Sequence, residues 1–81
     1  MEKNQYNKEG FKEGYWEEYY AKGELWFKGN YADDICEGYW EVYHNNGKLW
    51  YKGNFLKGRE IGYWEYYNKY GELECIYYFV I

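Results

Sequence analysis

Three glutamates, each closing the phrase Gly-Tyr-Trp-Glu, are spaced 24 residues apart and are the first candidates for chemistry. They are Glu17, Glu41 and Glu65. If two strand spacings separate one from the next, their carboxylates lie about 9–10 Å apart, which overlaps the separation used by inverting glycosidases. However, Lys28 and Lys52 are placed to pair with two of the three carboxylates. A charge-paired ladder on a sheet surface therefore explains these glutamates better than carbohydrate chemistry does.

The single histidine and the two cysteines are the other reactive side chains. They are His44, Cys36 and Cys75. No Cys-x-x-Cys spacing is present, so the pattern does not indicate a zinc site, and both thiols are expected to pack as small apolar groups. We therefore predict no catalytic residue, no metal and no cofactor, and we expect that the protein is not an enzyme. Two cysteines are also too few for a disulfide scaffold, so we expect a cytoplasmic location.

Composition argues against several classes of partner. The 81 residues include 14 Tyr, 5 Trp and 4 Phe and carry a net charge of −4. We expect an ordered aromatic fold with no general attraction to phosphate backbones or anionic lipid. Aromatic side chains beside lysines can stack on single-stranded nucleic acid, but acids outnumber the bases, so we expect no nucleic-acid partner. No apolar run approaches the ~20 residues that span a bilayer, so we expect no membrane insertion.

The 24-residue period organises the whole chain. The phrase begins at Gly14, Gly38 and Gly62, and a fixed period of this size indicates stacked supersecondary units. The prediction is a single domain, residues 1–81, that consists of a half-repeat (1–13) and three hairpin repeats (14–37, 38–61 and 62–81).

Turn signals divide each repeat into two strands. Asn46-Gly47 is the strongest of them, since a two-residue hairpin loop requires positive φ at both positions. In the other two repeats the glycine follows Lys or Tyr, and a type I turn with a glycine bulge is the alternative. Counting outward from Asn46-Gly47 places Glu41 opposite Lys52 and Trp40 opposite Gly53. We expect the Trp40 indole to cover that glycine.

The periodicity favours strands throughout. Apolar residues follow a period of two, and glycine recurs too often for helices. Between repeats, Asp34 stands where neighbouring copies have Gly, and Asp tolerates a left-handed backbone. We therefore predict an all-β fold, a single-layer antiparallel meander of consecutive hairpins with no helix longer than one turn.

Side-chain alternation separates the predicted sheet into two faces. One face carries Trp16, Trp40 and Trp64 and is the predicted core. The other is a row of Tyr, Trp, Glu and Lys that is available to a partner. The predicted partner-binding residues on this second face are Tyr15, Tyr39, Trp26, Trp50, Glu17 and Glu41.

The last predicted strand departs from the pattern of the others. In the stretch LECIYYFVI, Ile76 and Tyr78 make both faces of the strand apolar. An exposed apolar edge invites pairing with another chain, so we add Ile76 and Tyr78 to the partner-binding residues. Two interpretations stay open. The strand pairs with a second copy or docks on a target, or the tail folds back over its own sheet.

The repeat resembles the MORN repeat, in the variant form found in bacterial antitoxin-like repeat proteins. The shared pattern is Gly-x-Trp-x-x-Tyr, then Gly-x-Leu, then Gly-x-Phe/Tyr. The first copy meets it at Gly14, Trp16, Tyr19, Gly23, Leu25, Gly29 and Tyr31. The second meets it at Gly38, Trp40, Tyr43, Gly47, Leu49, Gly53 and Phe55. The third departs late, with Tyr77 in place of the strand glycine and Glu74 in place of the tryptophan.

The resemblance covers roughly residues 10–79 and implies a single-layer sheet of hairpins that binds or assembles with other molecules. No catalytic residue is common to these repeats, so none is carried over. The leading hypothesis is a small bacterial or phage protein that binds and blocks a partner protein, either as an antitoxin does or as an inhibitor of a host defence nuclease. The alternatives are a module that binds a nucleotide, a sugar or single-stranded nucleic acid, and a structural scaffold.

Overall fold

The computed structural model describes residues 2–81, which form one antiparallel sheet of seven strands in chain order. The strands are β1 Gln5–Tyr6, β2 Lys12–Tyr19, β3 Leu25–Ala32, β4 Ile35–Tyr43, β5 Leu49–Leu56, β6 Arg59–Tyr67 and β7 Leu73–Phe79. No helix occurs in these residues. The molecule measures 41 × 36 × 18 Å, as expected for a single layer. The predicted all-β meander is confirmed.

The turns that join one repeat to the next are two-residue loops with a left-handed backbone. Asp33 and Asp34 have φ angles of 52° and 68°, and Lys57 and Gly58 have φ angles of 51° and 82°. Positive φ at both central residues gives a turn whose twist matches that of the flanking antiparallel strands. The left-handed conformation expected for Asp34 is therefore confirmed.

The turns inside the repeats are three-residue loops, so the two-residue loop predicted at Asn46-Gly47 is wrong. The His44 N–H donates to the Lys48 carbonyl over 2.8 Å, and the Gly47 N–H donates to the His44 carbonyl over 3.0 Å. Only Gly47 has a positive φ, 90°. The Asn46 side chain instead accepts a hydrogen bond from the Lys48 N–H over 2.9 Å, which is the local bonding that Asn favours in turns. The type I turn with a glycine bulge occurs in all three repeats.

The predicted strand register is confirmed although the turn differs. Trp40 pairs with Gly53, and Trp16 pairs with Gly29. The extra turn residue is compensated near the start of the second strand of each hairpin, where the register shifts by one. In the first two hairpins the residue left over is Trp26 or Trp50. The extra turn residue and the one-residue register shift cancel each other. The remaining pairs therefore lie where counting from a two-residue loop places them.

A larger irregularity seats each central tryptophan on the strand before it. Between β3 and β4, the three residues Gly38 to Trp40 lie opposite the single Gly29. A Cβ atom on Gly29 would lie 2.2 Å from the Trp40 ring, and one on Gly53 would lie 2.2 Å from the Trp64 ring. The expectation that the Trp40 indole covers Gly53 is therefore wrong. The bulge carries this indole onto Gly29, while Trp64 covers Gly53.

These tryptophans form the core, on what we call the core side of the sheet. Trp16, Trp40 and Trp64 are only 3%, 5% and 0% exposed. Each indole N–H donates to a backbone carbonyl of the preceding strand, over 3.0–3.2 Å. The accepting carbonyls belong to Gln5, Asn30 and Asn54. Burying an indole destabilises the fold unless its N–H forms a hydrogen bond. The three hydrogen bonds described here satisfy the N–H groups and fix the orientation of the rings.

The seating of Trp64 predicts that Gly53→Ala is strongly destabilising. A methyl group 2.2 Å from the ring cannot be accommodated without displacing it, and we expect a loss of about 1–3 kcal/mol in the free energy of unfolding. Chemical denaturation measures it. Tyr77→Ala is the control, because Tyr77 occupies the equivalent place in β7, where no indole lies over it. Equal stabilities of Gly53→Ala and the wild type would contradict the seating.

Candidate functional site

The Glu17 carboxylate is held by two tyrosines of its own strand and by one lysine. Tyr15 donates its hydroxyl to Glu17 Oε2 over 2.6 Å, Tyr19 donates to Oε1, and Lys3 Nζ lies 2.7 Å from Oε1. These bonds lower the pKa of Glu17 from 4.5 to about 2, and the bond from Lys3 has the largest effect. Burial, together with the bond to Glu17, raises the pKa of Tyr15 to about 12. The carboxylate is a fixed, ionised acceptor.

The two-tyrosine arrangement recurs one repeat later at Glu41, and a version with one tyrosine occurs two repeats later at Glu65. Tyr39 donates to Glu41 Oε2 over 2.6 Å, Tyr43 donates to Oε1, and Tyr67 donates to Glu65 Oε1 over 2.6 Å. Partial burial by itself would raise the pKa of Glu41, but the bonds from Tyr39, Tyr43 and a lysine outweigh it and lower the pKa. The bond from Tyr67 lowers the pKa of Glu65.

The ion pairs of this ladder lie one strand beyond the positions that hairpin counting indicates. By register Lys28 lies between Glu17 and Glu41, and Lys52 lies between Glu41 and Glu65. Lys28 Nζ is 3.3 Å from Glu41, and Lys52 Nζ is 3.6 Å from Glu65. As predicted, Glu17 lies opposite Lys28 and Glu41 lies opposite Lys52 in the strand register. Their side chains, however, do not form the predicted ion pairs. Glu17 has Lys3 as its partner, which leaves Lys28 to the next glutamate.

We call this surface the ladder side. Its carboxyl groups are poorly suited to acid catalysis. A glycosidase needs one carboxyl group whose pKa is raised so that it can donate a proton. The pKa values of Glu17, Glu41 and Glu65 are all lowered. The predicted site residues Tyr15 and Tyr39 do lie beside Glu17 and Glu41, but their hydroxyls are already bonded to those carboxylates.

Trp26 and Trp50 do not lie on the ladder side, which corrects their predicted face. The ring centroids of Trp26 and Phe27 are 5.0 Å apart, and those of Trp50 and Tyr51 are 5.5 Å apart. Consecutive residues of a regular strand point to opposite faces, so such contacts require the irregularity at these positions. Trp26 and Trp50 are the residues left over at the register shifts, and their indoles turn to the core side.

An apolar groove of about 200 Å³ opens on the core side beside Trp26. Its walls are aromatic or aliphatic, and the residues that form most of them are Trp26, Phe27, Tyr31, Trp40, Val42 and Phe55. Trp26 and Trp50 are each 42% exposed. Burial raises the pKa of Tyr51 in the same groove, and the nearby Glu60 carboxylate raises it further. The groove is thus an apolar cleft with an acidic neighbour.

His44 and the cysteines do not form a reactive site. His44 Nε2 lies 2.9 Å from the Tyr67 carbonyl, and its ring stacks on Trp50 with centroids 5.0 Å apart. Cys36 lies near the opposite end of β4, about 26 Å away along the strand. Burial raises the pKa of the Cys36 thiol. Among residues 2–81, no three His, Cys, Asp or Glu side chains are placed to share a metal ion.

Ile76 and Tyr78 lie on the ladder side of β7, where the row of charges ends. Ile76 pairs with Glu65, and Tyr78 pairs with Tyr63, their ring centroids 4.8 Å apart. Every residue from Leu73 to Tyr78 is exposed, so the interpretation that this segment folds back over its own sheet is wrong. Sequence reasoning missed Tyr63 as part of this patch, although the hairpin register would have paired it with Tyr78.

No protein-family model, no curated protein and no solved structure matches the chain. Within residues 2–81 there is also no helix long and apolar enough to cross a membrane.

The ladder predicts a specific loss of stability in acid. Because the folded-state pKa of Glu17 lies below its ordinary value, its ionisation stabilises the fold above about pH 4.5, and this contribution is lost as the pH falls toward about 2. Glu17→Gln should lower the free energy of unfolding at pH 7 and make it less dependent on pH in that window. Denaturation series at several pH values measure this.

Glu24→Gln, a change in an exposed turn, is the control and should leave the acid profile unchanged. Parallel acid profiles for Glu17→Gln and the wild type would show that the bonds from Lys3, Tyr15 and Tyr19 contribute nothing to stability.

Proposed function

We propose that the protein is a non-enzymatic interaction module that binds a partner protein and blocks it. The observation that carries this proposal is the groove on the core side, with the half-exposed indole of Trp26 on its wall and that of Trp50 in the next repeat. Trp and Tyr dominate binding hot spots, since they bury a large rigid surface at little cost in side-chain entropy. The resemblance to antitoxin-like MORN repeats supports the same class.

The core side suits a partner better than the ladder side does. On the ladder side, Tyr15, Glu17, Tyr39 and Glu41 bond one another, so a partner that covers them must desolvate polar groups and gains few new bonds. The groove walls are mostly apolar and have no such bonds to lose. Tyr15, Tyr39, Glu17 and Glu41 therefore stay candidate rim contacts, and Trp26 and Trp50 become the candidate anchors.

Charge indicates what kind of partner fits. The protein has a net charge of −4, and Glu18 and Glu60 pair with Phe27 and Phe55 on the core side. Neither glutamate forms an ion pair within residues 2–81. A partner segment that inserts an apolar side chain and places a lysine or arginine beside it is complementary to this face. The basic surface of a nuclease or of a toxin that acts on nucleic acid has this chemistry.

The test is the effect of Trp26→Ala and Trp50→Ala on partner binding. Partners are captured with the tagged wild type from the native host and identified, and their affinity and activity are then measured with each purified variant. Truncating a hot-spot anchor costs about 2 kcal/mol or more, so we expect affinity to fall at least about 30-fold. Inhibition of the partner should fall in parallel.

Tyr70→Ala is the matched control, since it removes an aromatic ring that is 69% exposed and lies outside the groove. Melting temperatures must show that all variants fold. A captured protein whose affinity is unchanged by both tryptophan variants contradicts the proposal. So does a chain that binds no protein but binds a sugar or a nucleotide in a manner that depends on Trp26.

A further inference from the structure

The outer edge of β7 is the one long unpaired strand edge among the described residues. β7 pairs with β6 on one side only, which leaves the backbone groups of its outer edge, from Leu73 to Phe79, without strand partners. Apart from Glu74, its side chains are apolar or aromatic on both faces. Ile76 is 50% exposed on the ladder side, and Tyr77 is 54% exposed on the core side. Natural edges are usually protected by Lys, Pro or a short length, and β7 has none of these.

The edge at the other end of the sheet is closed. β1 consists of two residues, Gln5–Tyr6, and Asn4 beside it adopts a left-handed backbone with φ of 61°. The Asn4 side chain takes the place of a longer strand. Its Oδ1 accepts from the Glu17 N–H over 2.9 Å, and its Nδ2 donates to the Glu17 carbonyl over 3.0 Å. A strand that approaches this edge finds the backbone of Glu17 already bonded.

Tyr77 prevents another repeat of the same kind from continuing the sheet at β7. Trp40 and Trp64 each rest on a glycine of the preceding strand, where even a Cβ atom would be 2.2 Å from the ring. Tyr77 is the residue of β7 that stands at the place of Gly29 and Gly53, since it pairs with Trp64 as they pair with Trp16 and Trp40. A following tryptophan strand has no seat there.

We propose that two copies of this chain pair through β7, antiparallel and about a two-fold axis, in one continuous sheet. Head-to-tail growth would need the β1 edge, which is short and closed by Asn4. A strand that carries a tryptophan cannot add at β7, because Tyr77 stands where its glycine seat would be. Like pairing with like avoids both obstacles and gives a closed dimer instead of a filament. The continuous sheet has fourteen strands, seven from each copy.

The β7 sequence is complementary to itself when it runs antiparallel. With the two-fold axis perpendicular to the sheet at Tyr77, Ile76 of one copy faces Tyr78 of the other, and Cys75 faces Phe79. With the axis at Ile76 instead, Cys75 faces Tyr77, Leu73 faces Phe79, and Glu74 faces Tyr78. In either register the only charged residue of the strand, Glu74, does not face its own copy, so no like charges are opposed.

The experiment is the solution mass of the full chain, measured by light scattering and sedimentation over a range of concentrations. We expect twice the monomer mass of 10.1 kDa, with no larger species. Ile76→Lys combined with Tyr78→Lys should return the mass to that of the monomer. Since each copy carries a net charge of −4, added salt should strengthen the dimer by screening the repulsion.

The matched control is Ile35→Lys with Tyr70→Lys, which makes the same change of charge at exposed residues outside β7 and should leave the dimer intact. A second measurement does not depend on the lysine variants folding. In a background with both native cysteines replaced by Ser, single cysteines are placed along β7 and oxidised. The position on the two-fold axis should form a disulfide between copies.

A monomer at every concentration, a dimer that survives the β7 lysines while the variant remains folded, or a mass that keeps rising with concentration would overturn the proposal. So would the absence of any disulfide along β7. Because the groove and its tryptophans lie elsewhere, loss of the dimer leaves the test of partner binding through Trp26 and Trp50 unaffected.

Discussion

The structure depends on one contact that occurs twice, an indole resting on the bare backbone of a glycine in the preceding strand. A single-layer sheet has no second layer to cover it, so burial must come from side chains that lie down on the sheet itself. Trp40 on Gly29 and Trp64 on Gly53 achieve this, and both indole N–H groups reach a backbone carbonyl of that same strand. Each ring belongs to the repeat after the glycine that it covers. The contact therefore joins repeats to one another, and removing one buried Trp typically costs about 3–5 kcal/mol, a large part of a small domain's stability.

Much of this architecture could be predicted from the period of 24 residues and the alternation of side chains, because both are properties of the sequence alone. The strand register was also predictable, but only because the longer turn and the shift beside Trp50 cancel. What escaped prediction depends on irregularities. Counting pairs assigns Trp40 to Gly53, while three residues opposite Gly29 carry the ring the other way. The face of Trp26 and Trp50 also escaped prediction. These two residues are unpaired at the register shifts, and for that reason they turn to the core side. The ion pairs were ambiguous from the start, since register places a glutamate on both sides of Lys28 and Lys52.

The two sides of the sheet have different chemistry for reasons that follow from this packing. On the ladder side, tyrosine hydroxyls and lysines bond the glutamate carboxylates, so these polar groups already have partners within the sheet. On the core side, an apolar groove opens beside Trp40, and the displaced indole of Trp26 lines it, while that of Trp50 lies in the next repeat. β7 lacks both the displaced tryptophan and the glycine seat. Glu74 stands at the place of the tryptophan, and Tyr77 stands at the place of the glycine. The repeat pattern ends there in an apolar edge.

The most direct test of the central contact is a nuclear Overhauser spectrum of the folded protein with assigned glycine and indole protons. The ring of Trp40 should show cross-peaks to the Hα protons of Gly29, and the ring of Trp64 should show them to those of Gly53. Both pairs of Hα protons should resonate upfield of the other eight glycines, because they lie over the faces of aromatic rings. Cross-peaks from Trp40 to Gly53 in place of Gly29, or Hα shifts no different from those of the turn glycines, would contradict the seating on which the fold depends.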